Sequence, residues 1–163
     1  MHKPGEIRVI ALGLIRDAQH AKGADAKGAV SEACPQDIGT RIFVSEGYDP
    51  VKQQTFYRAM GGGVDFGETS LEALKREFQE EIQAELTNIR YLGCLENIFI
   101  YNGQPGHEII QLFESDFVNS KFYELEKFVF SEGERQKTAL WVDMNRLKSG
   151  ELRLVPEQFL DYL

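Results

Sequence analysis

The sequence contains no apolar run approaching the ~20 residues that a membrane-spanning helix requires. Its most apolar opening stretch, residues 7–15, is short, is interrupted by Arg8 and is followed by no clear small-residue cleavage site. Even with Lys3 ahead of it, it fails as a secretory leader and reads as a buried strand, so the expected setting is the cytoplasm, with no membrane partner. Cysteine is scarce: Cys34 and Cys94 stand at no metal-ligand spacing and read as unrelated reduced thiols. Basic residues are in deficit, 18 Lys and Arg against 26 Asp and Glu, for a net charge of −8. Binding along a nucleic-acid backbone asks for the opposite balance, because Lys and Arg must neutralise phosphates. A small phosphorylated substrate stays open, since a bound cation can supply the missing positive charge.

What is present is globular: 163 residues, 42% hydrophobic and 27% charged, expected to form one domain over residues 1–163 with a substantial core. Residues 17–39 differ in character, being rich in Ala, Gly, Lys, Asp and Gln and devoid of aromatics. They read as a flexible surface insert, unusually long for a compact domain, either without consequence or acting as a flap over a substrate. His20 and Cys34 within it form no usable pattern.

The informative stretch is 61–86, GGGVDFGETSLEALKREFQEEIQAEL. Thr69 followed by Glu72 has the form of a capping box, and no Gly or Pro follows until Gly93, so a helix is expected from there. At ~100° per residue, Leu71, Leu74, Phe78 and Ile82 share an apolar stripe. Glu77, Glu80 and Glu81, at i, i+3 and i+4, share a second face beside Arg76. Like charges so placed repel by ~0.2–0.5 kcal/mol per pair. A hard cation such as Mg2+, which takes oxygen ligands, reverses that sign. An ordinary solvated acidic face is the plainer account of Glu80 and Glu81 taken alone.

Spacing decides between them. Gly62, Glu68, Arg76-Glu77, Phe78 and Glu80-Glu81 fall on the pattern G-x5-E-x7-R-E-U-x-E-E-x-G-U, with U a bulky apolar residue. Six fixed identities at roughly 7% each have a chance on the order of 10^-7 at one start position. The stretch therefore resembles the signature of the Nudix hydrolase family. Gln83 stands where that signature has glycine, and Ala84 is small for the final apolar position. Without the glycine, a left-handed stop is not assured, and the helix is free to run another turn.

Flanking segments read as strands and turns: strands over 41–45 and 54–60 with a turn at 47–50, then one long strand or two over 88–101 bent at Gly93. A turn over 101–106, a strand from His107 to Phe117 and a strand over 138–142 follow. Asp143 suits the cap of a short helix ending at Gly150, and Pro156 the first turn of a final one. This pattern is α/β, with a mixed sheet and helices packed on it. The resemblance implies more, an α/β/α sandwich with the signature loop and helix at the active site.

What the resemblance implies for the site is metal-dependent hydrolysis of a pyrophosphate bond in a nucleoside diphosphate linked to another moiety, by water attack at phosphorus. Glu77, Glu80 and Glu81 would hold Mg2+, with Mn2+ as a substitute, and Gly61 would add a backbone carbonyl. Gly62, Glu68 and Arg76 would support the loop. The general base would be Glu77 or a carboxylate of the second acidic turn, Glu134 or Glu132. Arg58 is placed to reach a substrate phosphate or to pair with a helix carboxylate. Tyr101, with Phe56 and Tyr57, offers a stacking surface for a base. His107, beside Glu108 at a strand start, offers a further substrate contact or a solvated edge. The partner is a small phosphorylated substrate, a nucleotide derivative, and a homodimer follows only by analogy with dimeric relatives. The rival expectation is a non-catalytic domain that binds a nucleotide or sugar nucleotide as a regulator; such a domain would tend to lack one of the helix carboxylates, and all are present. A third, a protein-interaction domain with a coincidental motif, would show no metal affinity.

Overall fold

The apolar alternation at the start of the chain has a purpose in three dimensions: it feeds two cores from one strand. The computed structural model describes residues 5–18 and 39–163. Strand β1 (Ile7–Leu14) sends Ile10, Leu12 and Leu14 into one buried cluster and Ala11 into the other. Strand β3 (Arg41–Asp49) does the same with Ile42 and Val44 against Phe43. A strand buried on both faces needs cover on both, and this is what makes the fold layered.

Strands β5 (Met60–Gly63), β1, β7 (Gln104–Phe117) and β6 (Leu86–Tyr101) form a mixed sheet in the order β5-β1-β7-β6, with only β1 and β7 parallel. The second sheet is antiparallel: β2 (Arg16–Asp17), β3, β9 (Arg135–Asp143) and β8 (Lys127–Glu132) in that order, with β4 (Gln54–Arg58) also on β3. The helix α1 (Ser70–Ile82) covers one core with Ala73, Leu74, Phe78 and Ile82. It approaches β1 closely at Gly13, where a Cβ would lie 3.2 Å from Leu74 and Phe78. A short α2 (Lys121–Glu124) adds Phe122 to the same core. On the other side lie α3 (Met144–Lys148), with Met144 and Leu147 buried, and a 3-10 helix (Glu157–Tyr162) with Phe159. Among the described residues, no helix is long and apolar enough to cross a membrane.

The mixed α/β architecture expected from the pattern is thus present, with its strands divided between two sheets. Differences lie at the edges of elements. Asp17, expected in the insert, is instead buried in β2, where its carboxylate accepts a 2.6 Å hydrogen bond from Arg41. His20 and Cys34 lie outside the described residues. The β3–β4 turn falls three residues later than expected, at residues 50–53, because Asp49 Oδ1 accepts from the N–H groups of Val51 and Lys52 and so closes the turn after it. The broad turn expected at 101–106 contracts to Asn102-Gly103, both at positive φ, with Tyr101 paired to Gln104. Leu71, in the first turn of α1, remains 39% exposed instead of joining the stripe. Strand β6 is continuous, and its register shifts between Tyr91 and Gly93, where a bend was expected.

The end of α1 is the clearest difference. The helix does not run on: Gln83 adopts the left-handed conformation itself, at φ 52° and ψ 40°. Its N–H donates to the Gln79 carbonyl and that of Ala84 to the Phe78 carbonyl, each at 3.1 Å. Ala84, small for an apolar position, is nevertheless buried just after this stop. Gln83→Gly is therefore expected to stabilise the fold by ~1 kcal/mol, since the ~1–2 kcal/mol left-handed penalty exceeds the entropic cost of glycine. The thermal midpoint would rise by about 2–4 °C; an unchanged or lower midpoint would contradict the assignment of strain to this residue.

Candidate active site

The site grows from the β1–β5 ladder. Gly61, Gly62 and Gly63 pair with Leu12, Ala11 and Ile10, so three successive positions of β5 carry no side chain beside the helix. The reason differs at each. At Gly61, φ is +145° and a Cβ would stand 1.9 Å from the Ala11 carbonyl oxygen. At Gly62, a Cβ would fall 2.4 Å from the Glu77 carboxyl carbon. The signature glycine is thus the seat of the signature glutamate.

Between β5 and α1 the chain is closed by local hydrogen bonds. Glu72 Oε2 accepts from the Thr69 N–H at 2.8 Å while Thr69 Oγ1 accepts from the Glu72 N–H at 3.2 Å, completing the capping box. Glu68 accepts from Arg76 through both oxygens, at 2.7 and 2.9 Å, and from the Asp65 N–H at 3.0 Å. These donors, Arg76 foremost, hold the Glu68 carboxyl down at about 2. Arg76 is the hub. Beyond Glu68 it donates to the Gly63 carbonyl at 2.8 Å, to Glu77 Oε1 at 2.8 Å and to Glu80 Oε2 at 3.3 Å. Its ionised form is reinforced, chiefly by Glu68. Through these bonds Arg76 and Glu68 tie the glycine strand, the loop and the helix together.

Glu81 has a different environment. It is half-buried one turn beyond Glu77, and burial, with Glu132 and then Glu77 nearby, pushes its carboxyl up to about 8. Glu132 comes from the end of β8 and pairs with Lys137 of β9. Glu134, two residues on, is exposed in the turn and lines no part of the cleft. Hairpin register brings Glu132 to the site instead. Glu80 is held at the rim by Arg76, its side chain 60% exposed. Among the described residues, no group of three His, Cys, Asp or Glu side chains is gathered as a ready metal cluster. The donor set nevertheless suits a hard cation. Glu77 and Glu81 offer carboxylate oxygens, and Glu81 is protonated by surroundings whose repulsion a cation would remove.

Beside these carboxylates opens a small cleft of about 80 Å³. Gly61, Gly62, Met60 and Glu81 form one side, and Arg58, Glu108 and Arg8 another. Arg58 does not reach a helix carboxylate. Its Nη2 and Nη1 donate to Glu108 of β7 at 2.5 and 3.4 Å, and Glu108 is only 3% exposed. Asn97 Nδ2 also reaches that carboxylate at 3.5 Å. Alternation along β7 separates His107 from Glu108, so half-buried His107 lies on the opposite face of the sheet, in register with Ile7 and Ile98. Tyr101 sits at the far hairpin, donating to the Tyr48 carbonyl at 3.3 Å with its ring edge-on to Phe56 at 5.9 Å. Tyr57 turns to Glu46. None of these rings lines the cleft.

Two contributors to the cleft have no place in the sequence-based expectation, Arg8 and Lys137, the partner of Glu132. Arg8 had a signal: strict alternation with Ile10 and Leu12 places it on the same face of β1.

The family model of the NUDIX domain matches residues 38–163. No curated protein sequence matches the chain. Among solved structures it is similar to the ORF135 protein of E. coli, with a TM-score of 0.52 at 15% identity, over 96% of this chain and 87% of that one. It is also similar to a MutT NUDIX hydrolase from Burkholderia pseudomallei, with a TM-score of 0.52 at 19% identity over 86% and 85% of the two chains. A NUDIX hydrolase from Nitrosomonas europaea gives 0.56 at 14% identity over 94% and 82%. At such identities these structures speak to the fold.

Proposed function

Because this chain belongs to the NUDIX family, we propose that it is a metal-dependent hydrolase of a pyrophosphate bond in a nucleoside diphosphate linked to another moiety. The observation that carries the reading is the seating of Glu77 on Gly62 with Glu81 beside it at the lip of the cleft. Glu77 and Glu81 would hold Mg2+, Glu80 would close in from the rim, and the Gly61 carbonyl is the backbone donor at hand. The bound cation supplies charge neutralisation at phosphate oxygens and a lowered pKa for the attacking water.

The rest falls to the chain. Arg76 holds Glu77 against Gly62 by its 2.8 Å hydrogen bond. Glu81 carries a proton on its carboxyl at neutral pH and must release it as a cation binds. Glu132, at the end of β8 and close enough to Glu81 to raise its pKa, would be the carboxylate that accepts a proton from water. The substrate is a small nucleotide derivative in this reading, and a cytoplasmic setting remains part of it.

The test is incubation of the pure protein with Mg2+ and a panel of nucleoside diphosphate derivatives, with detection of released phosphate or pyrophosphate. One class of compound should be turned over. Glu132→Gln should reduce that turnover by about 10²-fold or more, and Glu134→Gln should leave it unchanged. Tight Mg2+-dependent binding of one compound without turnover of any would instead identify a regulatory, non-catalytic domain.

A further inference from the structure

The charged groups lining the cleft cancel in pairs, with two exceptions. Arg58 is neutralised by Glu108 and Lys137 by Glu132. Glu81 and Arg8 are left over. Every other half-buried arginine among the described residues has a carboxylate partner: Arg16 has Glu114, Arg41 has Asp17, Arg58 has Glu108 and Arg76 has Glu68. Arg8, itself half-buried, has none among those residues. An arginine kept out of bulk water without a counter-charge is costly, and the cleft is where a counter-charge can arrive.

The backbone around Arg8 is shaped to leave it room. Gly63 pairs with Ile10, one position further along the same face of β1. A Cβ on Gly63 would stand 3.2 Å from Arg8 Nη2, tight enough to press on the guanidinium. Unlike Gly61, Gly63 does not have positive φ, so its own backbone conformation does not require glycine. On the other flank, Arg8 is in parallel register with Glu108, whose carboxylate is already committed to Arg58. Arg8 is therefore held beside a spent acid, over a bare strand, with its fork open to the cleft. Gly61 and Gly62 line the cleft between Glu81 and Arg8 and put no side chain into it.

We infer that Arg8 binds the substrate phosphoryl group lying away from the helix carboxylates, and that Gly63 is glycine to let it do so. The guanidinium fork suits two oxygens of one phosphate. Arg8 would then be a binding residue particular to this chain's cleft, selecting substrates that carry a second anionic group beyond the one held at Glu77 and Glu81. The inference rests on the reading of the cleft as a pyrophosphate site, and the experiment separates the two.

Binding of inorganic pyrophosphate with Mg2+ is measured by calorimetry for the wild type, Arg8→Gln, Arg8→Lys and Gly63→Ala. KM and kcat are measured on the compound that the panel identifies. Arg8→Gln should weaken pyrophosphate binding and raise KM by about tenfold or more, with kcat within about threefold of wild type. Arg8→Lys should recover part of the loss. Gly63→Ala should weaken binding in the wild type but add nothing in the Arg8→Gln background. Pyrophosphate binding and KM unchanged in Arg8→Gln overturn the inference and leave the hydrolase reading standing. Absence of turnover in the wild type overturns the hydrolase reading; a weakened pyrophosphate affinity in Arg8→Gln would then preserve the Arg8 site alone. Wild-type protein that neither binds pyrophosphate nor hydrolyses a nucleotide overturns both.

Discussion

Glu81→Gln is expected to lower kcat by about 10²–10⁴-fold and, in the absence of metal, to make the protein more stable at neutral pH. The two effects share one cause. Burial and the neighbouring Glu132 and Glu77 push the Glu81 carboxyl up to about 8, against an unperturbed 4.5. Below pH 4.5 the group is protonated whether the chain is folded or not, and it contributes no pH-dependent cost. Between 4.5 and about 8 the unfolded chain has released the proton and the folded one has kept it, so stability falls as pH rises. Above 8 both states are ionised and the loss levels off. Discounted for solvent screening at a half-exposed carboxylate, the loss amounts to about 1–2 kcal/mol, or a few degrees in thermal midpoint.

Glutamine fills the same space without the charge. Metal-free thermal unfolding of the two proteins at pH 5, 7 and 9 should show their midpoints diverging up to about pH 8 in favour of the variant. Excess Mg2+ should then reverse the order, because only the wild type gains the binding energy of a well-held cation. A variant less stable than wild type at pH 8 without metal would mean that Glu81 is a structural residue. A difference independent of pH would remove the charge from the explanation.

The site's local parts were legible in the sequence, and its long-range parts were not. The capping box, the carboxylate face and the Glu68–Arg76 spacing lie within a helix and the turn before it, where periodicity and hydrogen-bond reach are set by residues a few positions apart. Pairing across strands is another matter. Arg58 faces Glu108 because β4 and β7 belong to different sheets closing on one cleft, fifty positions apart in the chain, and no local pattern contains that distance. The choice of Glu132 over Glu134 depends on the register of the β8–β9 hairpin, in which Glu132 pairs with Arg135 and leaves only Gly133-Glu134 in the turn. A shift of one residue would exchange the faces.

His107 and Glu108 were adjacent in sequence and therefore read together, whereas strand alternation sends them to opposite faces. Gln83 misled for a different reason. A left-handed stop is signalled by glycine or asparagine, and here the tertiary burial of Ala84 and Leu86 beyond the helix imposes it on a residue that carries no such signal. Arg8 read as a flaw in an apolar run, although a charge on the inward face of a buried strand is the kind of exception that marks a site.

The adjacent glycines Gly61 and Gly62 offer the sharpest separation of folding from chemistry. Alanine at 61 meets only backbone: its Cβ would stand 1.9 Å from the Ala11 carbonyl oxygen, 2.9 Å from the Ala11 carbonyl carbon and 3.0 Å from Leu12 Cα, at a φ of +145°. All three are backbone atoms that no side-chain rotation can move aside, so β5 must part from β1. Strain and overpacking together are expected to cost about 3–5 kcal/mol, a fall in thermal midpoint of roughly 10 °C. Alanine at 62 meets something movable. Its Cβ would fall 2.4–2.6 Å from the carboxyl atoms of Glu77, the end of a flexible side chain on an intact helix, and φ there is not positive. The carboxylate can swing aside at little cost to the fold, leaving the hydrogen bond from Arg76 and its place beside the cleft. A shift of about 1 Å in a group that must hold a cation against a phosphate is expected to reduce turnover by about 10²-fold. Thermal unfolding and kcat, measured on both variants, should therefore move in opposite proportion: Gly61→Ala unstable, Gly62→Ala stable and nearly inactive. Wild-type turnover in Gly62→Ala would show that Glu77 needs no seat at this strand, and the geometric basis for its role would fall with it.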